Sequence, residues 1–357
     1  MWRQLIVSVC IAIGACSGTG TPPNDVESQA QMTNQKELIV VAAPKYGDAY
    51  YAEAADGIFD FHVAYADAVS GHDDFLVLTD LATYPDYVEA LGADRVIIAP
   101  QDDIWVRDFS LSNAIAPVMF RYTPEGQGGG RQGQFDADHV QDVLARLIEK
   151  AGISFAESDL LNDGGNLVDD YDGRVVISRK FLRDNGLTEV QGRNAIMRET
   201  GASHVAFIEA DEQGGLEHAD GVVAFIDANV LVINSYPEDP EYADQLKADL
   251  RAGLPDVTLH EITTPYEGRE IYDDKFGSAC GLYTNMLVTP NRIYLPQFDI
   301  PEDAEALQSV RNWTTKDVIP VRSEKVCYMG GGVRCMSWQL RGQNAAKLKA
   351  WAQAQRS

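Results

Sequence analysis

The chain has 357 residues, of which 45% are hydrophobic, so it is long enough to build a substantial core in one large domain or two. Its formal net charge of −25 excludes nonspecific nucleic-acid binding, because so acidic a protein repels phosphate groups. The same charge would attract a cationic substrate, but solubility or adaptation to a salty habitat explains it equally well.

The first 16 residues have the features of a secretory signal. Arg3 precedes an apolar run from Leu5 to Ile13, which is too short to span a bilayer as a stable helix. The following Gly14-Ala15-Cys16 resembles the end of a bacterial lipobox. It predicts an exported lipoprotein, periplasmic or at the outer membrane and cell surface, that contacts the membrane only through a lipid on Cys16. A plain signal peptide cut nearby, or an uncleaved one, is the alternative. Residues 17–36 are polar, contain Pro and Gly and lack periodicity, which predicts a flexible tether.

The cysteine count indicates one unpaired thiol. Beyond the signal segment the chain has Cys280, Cys327 and Cys335. Three is an odd number for an exported protein, so at least one thiol has no partner, and we assign that place to Cys335. Cys280 and Cys327 then either form a disulfide or remain as two buried free thiols.

Short strands alternate with helices along the rest of the chain, which predicts an α/β catalytic domain over residues 37–357. The predicted strands are rich in β-branched and aromatic residues and are bounded by Gly, Pro, Asn and Asp. They span residues 37–44, 75–80, 95–100, 174–178, 204–210, 222–236 and 286–298. Apolar residues at helical spacing predict amphipathic helices over 136–152, around Leu246 and Leu250, and after Gly342. No clean sequence repeat is visible, although strand–helix–strand units of similar length recur.

Four segments combine polar, Gly and aromatic residues at predicted strand ends, where catalytic residues commonly lie. They are DDIWVRDF (102–109), NDGGN (162–166), EHADG (217–221) and GGGVRC (330–335). Each is ordinary by itself, because an Asp at a strand end is usually a turn or cap residue and paired glycines usually form tight turns with positive φ. His218 and Asp220 are alternate residues, which on a strand would place both side chains on one face.

Together the segments supply what hydrolysis of a guanidinium group requires. Two carboxylates can hold the nitrogens of this planar cation by charge-assisted hydrogen bonds, and Asp108 and Asp220 are the candidates. A thiolate must attack the poorly electrophilic carbon, and Cys335 is the candidate nucleophile. His218 is the candidate to protonate the departing ammonia and then to activate water. Alone, His218 or Cys335 would more often be an ordinary residue, so the prediction depends on their joint presence.

The ordered set WVRD, DGGN, HADG and GGGVRC over residues 105–335 resembles the agmatine deiminase and bacterial Porphyromonas-type peptidylarginine deiminase family of the guanidine-modifying superfamily. Tyr283-Thr284-Asn285 and the strand ending YLPQF (294–298) resemble that family as well. The resemblance covers most of residues 37–345 and implies a five-bladed α/β propeller, the pentein fold, with a central active site. It also implies hydrolytic deimination of agmatine to N-carbamoylputrescine, or of free or peptidyl arginine to citrulline, with release of ammonia.

The resemblance assigns a role to each matching residue. Cys335 matches the nucleophile that forms a covalent thiouronium intermediate, His218 the general acid and base, and Asp108 and Asp220 the guanidinium-binding carboxylates. No metal and no organic cofactor is expected. The expected partner is a small cationic guanidinium compound or an arginine-containing peptide.

Three further residues match positions around the substrate. Trp105 matches an aromatic residue that lines the substrate channel, and Asn285 a polar residue near the nucleophile. Asp163 lies where agmatine deiminases usually have Glu before GGN, and we expect it to orient His218.

Two features depart from the family pattern. Agmatine deiminases typically have GGGNIHC before the nucleophile, whereas Arg334 replaces the His here. Arg334 could support the thiolate, contact an acidic substrate group or face solvent. The loop from Arg121 to Arg131 shows no recognisable pair of arginines to bind the carboxylate of a C-terminal peptidylarginine. The substrate therefore stays open between agmatine, arginine and peptidylarginine.

Two other functions are compatible with these residues. An amidinotransferase uses similar Cys, His and Asp chemistry but transfers the amidino group to an amine instead of water. A non-catalytic, lipid-anchored binding protein would keep the acidic pocket, although it would not need the thiol. The sequence indicates no oligomeric state.

Overall fold

The computed structural model describes residues 36–211, 215–265, 271–272 and 276–356. The predicted signal segment with Cys16, and all of the predicted tether except Lys36, lie outside the described residues. Within the described ranges, no helix combines the length and apolar character needed to cross a bilayer.

Strands and helices alternate along the described chain. The strands are β1 (Leu38–Ala42), β2 (Asp74–Thr79), β3 (Val96–Ile98), β4 (Val118–Arg121), β5 (Ala156–Leu161), β6 (Leu167–Asp169), β7 (Arg174–Ser178), β8 (His204–Ile208), β9 (Val223–Asp227), β10 (Val230–Asn234), β11 (Thr258–Ile262), β12 (Leu287–Val288), β13 (Arg292–Gln297), β14 (Asp317–Arg322) and β15 (Trp338–Leu340). The helices are α1 (Ala55–Val69), α2 (Tyr84–Leu91), α3 (Val106–Phe109), α4 (Gly130–Ala151), α5 (Lys180–Asn185), α6 (Glu189–Thr200), α7 (Pro240–Gly253), α8 (Asp303–Trp313) and α9 (Gly342–Gln355).

The strands form five small sheets that follow one plan. Each sheet contains a parallel pair joined by a helical crossover, namely β1 and β2, β4 and β5, β7 and β8, β10 and β11, and β13 and β14. In four sheets a short antiparallel edge strand pairs with the first of the two: β15 with β1, β6 with β7, β9 with β10, and β12 with β13. In the sheet of β4 and β5, a single antiparallel bridge between Ser112 and Val118 takes that place. The recurring strand–helix–strand units of the sequence are therefore a structural repeat.

The structure confirms the α/β class and corrects three predicted boundaries. Residues 222–236, predicted as one strand, form the antiparallel hairpin of β9 and β10, and Asn229 in its turn has φ 61°. Residues 286–298 likewise divide into β12 and β13. The helix predicted over 136–152 begins earlier, at Gly130. The sequence does not predict this start because the first turn of the helix lacks an apolar stripe. It ends where predicted, since Gly152 has φ 67° and forms a left-handed C-cap.

The helices fill the space between neighbouring sheets. Helix α1 packs on β14, α5 on β5, α7 on β8, α8 on β11, and α4 on α9. One core, for example, combines Ile39 and Val41 of β1 with Tyr294 of β13 and Val321 of β14, all almost fully buried. Burial of each such side chain stabilises the fold by roughly 1.5–3 kcal/mol. This packing fixes the strand ends, and with them the loops that carry the four motif segments.

Cys280 and Cys327 form a disulfide, and Cys335 is the free, buried thiol of the described residues. The bridge was one of the two alternatives left open by the sequence. It links the segment that leads to Asn285 with the short 3₁₀ turn Cys327–Met329 that leads to Cys335. The backbone amide of Ala279 also donates a hydrogen bond to the Cys327 carbonyl, 2.8 Å away.

Replacing Cys280 and Cys327 together by alanine is expected to lower the free energy of unfolding by about 4 kcal/mol. The bridge spans 47 residues, and removing it releases that loop in the unfolded chain. Urea unfolding of the double variant measures the loss, and reduction of the unmodified protein should lower its stability by a similar amount. An unchanged unfolding midpoint in both cases would contradict the bridge.

Candidate active site

The motif segments occupy equivalent places in the five structural units, because each precedes the edge strand of its sheet. Residues 102–109 precede the bridge at Ser112, 162–166 precede β6, 217–221 precede β9, 283–285 precede β12, and 330–335 precede β15. Residues from all these segments except 162–166 line one cavity of about 1080 Å³. The repeated plan thus explains how distant parts of the sequence reach one site.

Six of the seven predicted site residues line this cavity: Trp105, Asp108, His218, Asp220, Asn285 and Cys335. Asp163 lies behind His218 and is 2% exposed. The prediction that His218 and Asp220 share the face of a strand is wrong, because Ala219–Gly221 is a turn of 3₁₀ helix. Both side chains nevertheless reach the cavity.

His218 is held by carboxylates. Its Nε2 lies 2.9 Å from Asp163 Oδ2, and its Nδ1 lies 3.7 Å from Asp108 Oδ1. Asp163 also accepts hydrogen bonds from the Thr123 backbone amide (2.9 Å) and hydroxyl (2.8 Å), which fix its orientation. Burial alone would lower the pKa of His218, but the charges of Asp108, Asp163 and Asp220 outweigh it and raise the pKa to about 9. His218 is therefore an imidazolium at neutral pH.

Asp108 belongs to the one-turn helix α3 and is buried. Its Oδ1 accepts a hydrogen bond from the Gly165 backbone amide at 3.2 Å. Burial raises the pKa of Asp108; His218 opposes this shift, whereas the carboxylates of Asp163 and Asp220 add to it. A cation bound beside Asp108 would favour its ionised form.

The sulfur of Cys335 lies between an amide and a carboxylate. Asn285 Nδ2 donates a hydrogen bond to Sγ at 2.9 Å, and Asp220 Oδ2 lies 3.8 Å from Sγ. Asn285 Oδ1 accepts from the backbone amide of Cys335 at 3.4 Å, which aligns the two side chains. Burial and then the charges of Asp220 and Asp108 raise the pKa of the Cys335 thiol well above its ordinary value. This direction favours the neutral thiol, and a cation bound nearby would favour the thiolate.

Arg334 does not face solvent, which removes one of the three roles considered for it. Its side chain is 11% exposed, and its Nη1 lies 2.6 Å from Asp220 Oδ2. It is absent from the cavity lining, so it also does not meet an acidic group of a substrate there. Its partner is a carboxylate of the site itself.

The glycines of the DGGN motif are required by space and not by backbone conformation. Gly164 and Gly165 both have ordinary φ values, contrary to the expectation for a tight turn. A Cβ on Gly164 would collide with the Arg107 carbonyl oxygen. A Cβ on Gly165 would lie 2.5 Å from His218 Nδ1 and 2.9 Å from Asp108 Oδ1. Only glycine lets this turn pack against the site.

Gly165→Ala is expected to lower kcat at least tenfold, because the added methyl group displaces His218 and Asp108 from each other. Steady-state ammonia release measures the effect, and thermal unfolding checks that the fold is kept. Gly277→Ala adds a methyl group to the wall of the same cavity without meeting any atom within 4 Å, so it controls for the contact with His218 and Asp108. Equal activity of the two variants would contradict this packing.

Sequence reasoning missed several residues around the site. Thr123 has no motif that predicts it, yet it holds Asp163. Asp103 lies in the DDIWVRDF segment, whose sequence alone assigns it no role. In the structure Asp103 accepts hydrogen bonds from the Tyr51 hydroxyl (2.6 Å) and Gln127 Nε2 (2.8 Å), and all three residues line the cavity. These contacts join positions far apart in sequence, and only the fold reveals them.

The profile of the Porphyromonas-type peptidyl-arginine deiminase family matches residues 29–340. The chain belongs to this family. Membership confirms the resemblance seen in the motifs, and with it the expected enzyme class, a hydrolase that acts on guanidino groups.

Individual relatives are distant but cover most of the chain. A Lactococcus lactis protein named as an agmatine deiminase is 24% identical over 328 residues, 80% of this chain and 88% of the relative. The solved agmatine deiminase of Enterococcus faecalis has a TM-score of 0.68 at 17% identity, covering 85% of this chain and 93% of that one. A solved Porphyromonas gingivalis protein assigned as an arginine deiminase has a TM-score of 0.65 at 19% identity, covering 85% and 95%. These structural similarities establish the fold.

Proposed function

We propose that this protein hydrolyses the guanidinium group of a small cationic substrate, releasing ammonia and leaving a ureido product. The observation that carries the proposal is the single cavity in which Cys335 Sγ, the His218 imidazole and the carboxylates of Asp108 and Asp220 meet. A planar cation bound between the two carboxylates would lie beside the sulfur. Family membership supports the same chemistry.

The first half-reaction uses the charge of the substrate. Since burial and two carboxylates keep the Cys335 thiol neutral, the incoming guanidinium lowers its pKa, and the thiol proton passes to solvent. The thiolate then attacks the guanidinium carbon, forming a C–S bond. The His218 imidazolium donates its proton to one terminal nitrogen, the C–N bond breaks, and ammonia leaves. A thiouronium remains on Cys335.

The second half-reaction consumes water. Neutral His218 takes a proton from a water molecule, whose oxygen attacks the thiouronium carbon. The C–S bond breaks, and the oxygen loses its remaining proton to solvent, where ammonia is protonated. The thiolate is protonated from solvent, and the ureido product leaves. His218 is again an imidazolium. The sum converts one guanidinium and one water into one urea derivative and one ammonium ion.

The lining of the cavity favours a substrate without a carboxylate near the guanidinium. Among the described residues that line it, none is Lys or Arg, whereas Asp48, Asp102, Asp103, Asp211 and Asp239 add to the two site carboxylates. Moving a substrate carboxylate into so acidic a cavity would cost desolvation energy, and the described lining offers no Lys or Arg to compensate it, while the His218 imidazolium already faces three carboxylates. We therefore propose agmatine, or arginine inside a peptide, over free arginine.

Agmatine is expected to be hydrolysed with a kcat/KM about 100-fold higher than that of free arginine, a difference of roughly 2.7 kcal/mol in transition-state stabilisation. Ammonia and ureido-product release from the full chain tests this, with peptides carrying internal or C-terminal arginine alongside. Turnover only when an amine is added would indicate an amidinotransferase. Tight binding of agmatine without turnover would indicate the non-catalytic binding protein instead. Preference for free arginine would contradict the carboxylate argument.

We also propose that the five sheets close into a five-bladed propeller around the cavity. The supporting observation is that a helix of each later unit packs on the unit before it. Helix α8 contacts β11, α7 contacts β8, and α5 contacts β5. Helix α4 contacts α9, which follows strand β15 of the first sheet. Helix α1 of that first sheet packs on β14 of the last. An experimental structure with the first and last sheets apart would contradict the closure.

Finally, we propose that the protein is exported and anchored by a lipid on Cys16. The disulfide between Cys280 and Cys327 supports an oxidising compartment. Metabolic labelling with a radioactive fatty acid should mark the full chain and not its Cys16→Ala variant. Label on the variant, or an unlabelled protein in the cytosolic fraction, would overturn this.

A further inference from the structure

Arg334 lies behind the cavity and joins two loops that line it, those of Asp220 and Asn285, to the turn at Gly164 behind them. Its Nη1 lies 2.6 Å from Asp220 Oδ2, and its Nη2 donates to the Leu167 carbonyl at 2.8 Å. Nη1 also approaches the Gly164 carbonyl at 3.5 Å, and the backbone amide donates to Asn285 Oδ1 at 3.2 Å. One side chain directly before the nucleophile thus contacts the HADG loop and the turn that supports Asp108.

Because of this contact, the two carboxylate oxygens of Asp220 have different surroundings. Oδ2 is bound by Arg334 and is also the atom 3.8 Å from Cys335 Sγ. Oδ1 makes no hydrogen bond to any described residue. The two oxygens of Asp108 differ in the same way, since its contacts with Gly165 and His218 both use Oδ1 and not Oδ2. Each carboxylate therefore keeps one oxygen for a guanidinium.

The contact also places a positive charge next to the carboxylate that most opposes thiolate formation. The ionisable groups around the sulfur are Asp108 on α3, His218 and Asp220 on the HADG loop, and Arg334 on its own loop. Burial lowers the pKa of Arg334, but the charge of Asp220 outweighs it and raises the pKa, so Arg334 stays charged. Without Arg334, the charge of Asp220 beside the sulfur would be uncompensated.

We propose that Arg334 is a positioning residue that acts through Asp220: it presents one carboxylate oxygen to the substrate and offsets the charge of the other beside the Cys335 sulfur. The role in turnover rests on the proposed function, whereas the effect on the sulfur does not. The two are therefore separable by experiment.

The rate of Cys335 alkylation by neutral iodoacetamide reports its thiolate fraction without any turnover. We would follow the Cys335 peptide of the full chain by mass spectrometry between about pH 7 and pH 10, a range around the ordinary pKa of a thiol, about 8.5. Arg334→Gln is expected to react about tenfold more slowly at each pH, equivalent to a one-unit rise in the pKa of the thiol. Arg334→Lys keeps the charge and should react within about threefold of the unmodified protein.

The control for the loss of a partly buried arginine paired with a carboxylate is Arg174→Gln. Arg174 pairs with buried Asp170 at 3.1 Å, and neither residue lines the cavity. This variant should alkylate at the unmodified rate. If Arg334→Gln were alkylated as fast as the unmodified protein or faster, the proposal would be overturned. A site that is only loosened by the substitution would expose the thiol and raise the alkylation rate.

A double-mutant cycle tests whether Arg334 acts through Asp220. In an Asp220→Asn background, Arg334→Gln should change the alkylation rate less than twofold, and this neutral pair also avoids an unpaired buried charge if Arg334→Gln alone fails to fold. A tenfold effect that persists in the Asn background would exclude Asp220 as the intermediary.

Turnover provides the second readout. Arg334→Gln should lower kcat for agmatine about tenfold while KM changes less than threefold, because the carboxylate oxygen that meets the substrate remains. A tenfold rise in KM with an unchanged kcat would contradict the assignment. If the unmodified protein turned over no guanidinium compound but the alkylation effects held, the proposed function would fail while the action of Arg334 on the sulfur stood.

Discussion

Cys335→Ala is expected to lower kcat for guanidinium hydrolysis by about 10⁴-fold or more while leaving substrate affinity within about threefold. The other two cysteines of the described domain are joined in a disulfide, so no second thiol can replace the lost one. Affinity should persist because Asp108 and Asp220 bind the cation. Ammonia release measures kcat, and calorimetric titration with agmatine measures the dissociation constant.

Two comparisons make this result specific to the nucleophile. Cys335→Ser keeps a polar atom near Asn285 but should be equally inactive, since a hydroxyl is far less acidic than a thiol. The unmodified enzyme, quenched in acid during turnover, should carry a mass adduct on the Cys335 peptide that the alanine variant lacks. Residual turnover above about one hundredth in the alanine variant would exclude covalent catalysis by Cys335.

The strands that the sequence predicts are mostly those that are buried along most of their length. Segments such as 174–178 and 204–210 are continuous apolar, β-branched runs, which is the pattern of a strand covered on both faces. The edge strands β6, β12 and β15 have only two or three residues each, too few for any periodicity to register. Those edge strands define the repeated plan, so the repeat is visible in the structure and not in the sequence.

The site shows the same division between local and tertiary information. Cys335, His218, Asp108 and Asp220 stand in recognisable local motifs, and their order along the chain suffices to propose them. Thr123 holds Asp163 through contacts between residues 40 positions apart, which no local pattern encodes. The pairing of Arg334 with Asp220 spans 114 positions in the same way.

The glycines show that a motif can be recognised correctly although the expected reason for its glycines is wrong. The sequence suggests that DGGN and GGGVRC need positive φ, and Gly330 does have φ 95°. Gly164, Gly165 and Gly331 instead have no room for a Cβ; the one on Gly331 would meet the Trp105 ring. Steric demands of this kind come from neighbouring loops and cannot be derived from one segment.

His218→Gln is expected to lower kcat by about 10²–10⁴-fold, the usual contribution of a general acid and base. Glutamine preserves a hydrogen-bonding side chain but cannot carry the proton that ammonia takes as it leaves. Steady-state kinetics over pH 6–10, a range that spans the ordinary and the raised pKa of the imidazole, measure the loss. Thr123→Val is the mild control, because it removes one hydrogen bond from Asp163 and keeps every charge. A profile in His218→Gln that retained the unmodified kcat would remove His218 from the mechanism.

Asp163→Asn separates the charge on His218 from its position. The pKa of His218 is raised above its ordinary value of 6.5 to about 9 by three carboxylates, of which Asp163 also makes the 2.9 Å hydrogen bond. Removing that charge lowers the pKa, so the imidazolium is lost, and kcat falls, at lower pH than in the unmodified enzyme. Stability follows the same sign: the contribution of protonated His218 is full below pH 6.5 and is lost as pH rises through about 9. In Asp163→Asn this loss should occur at lower pH, as urea unfolding across that range would reveal. Because Asp108 and Asp220 still face His218, the shift is partial, and an alkaline limb that stayed in place or moved upward would mean that a different group protonates the ammonia.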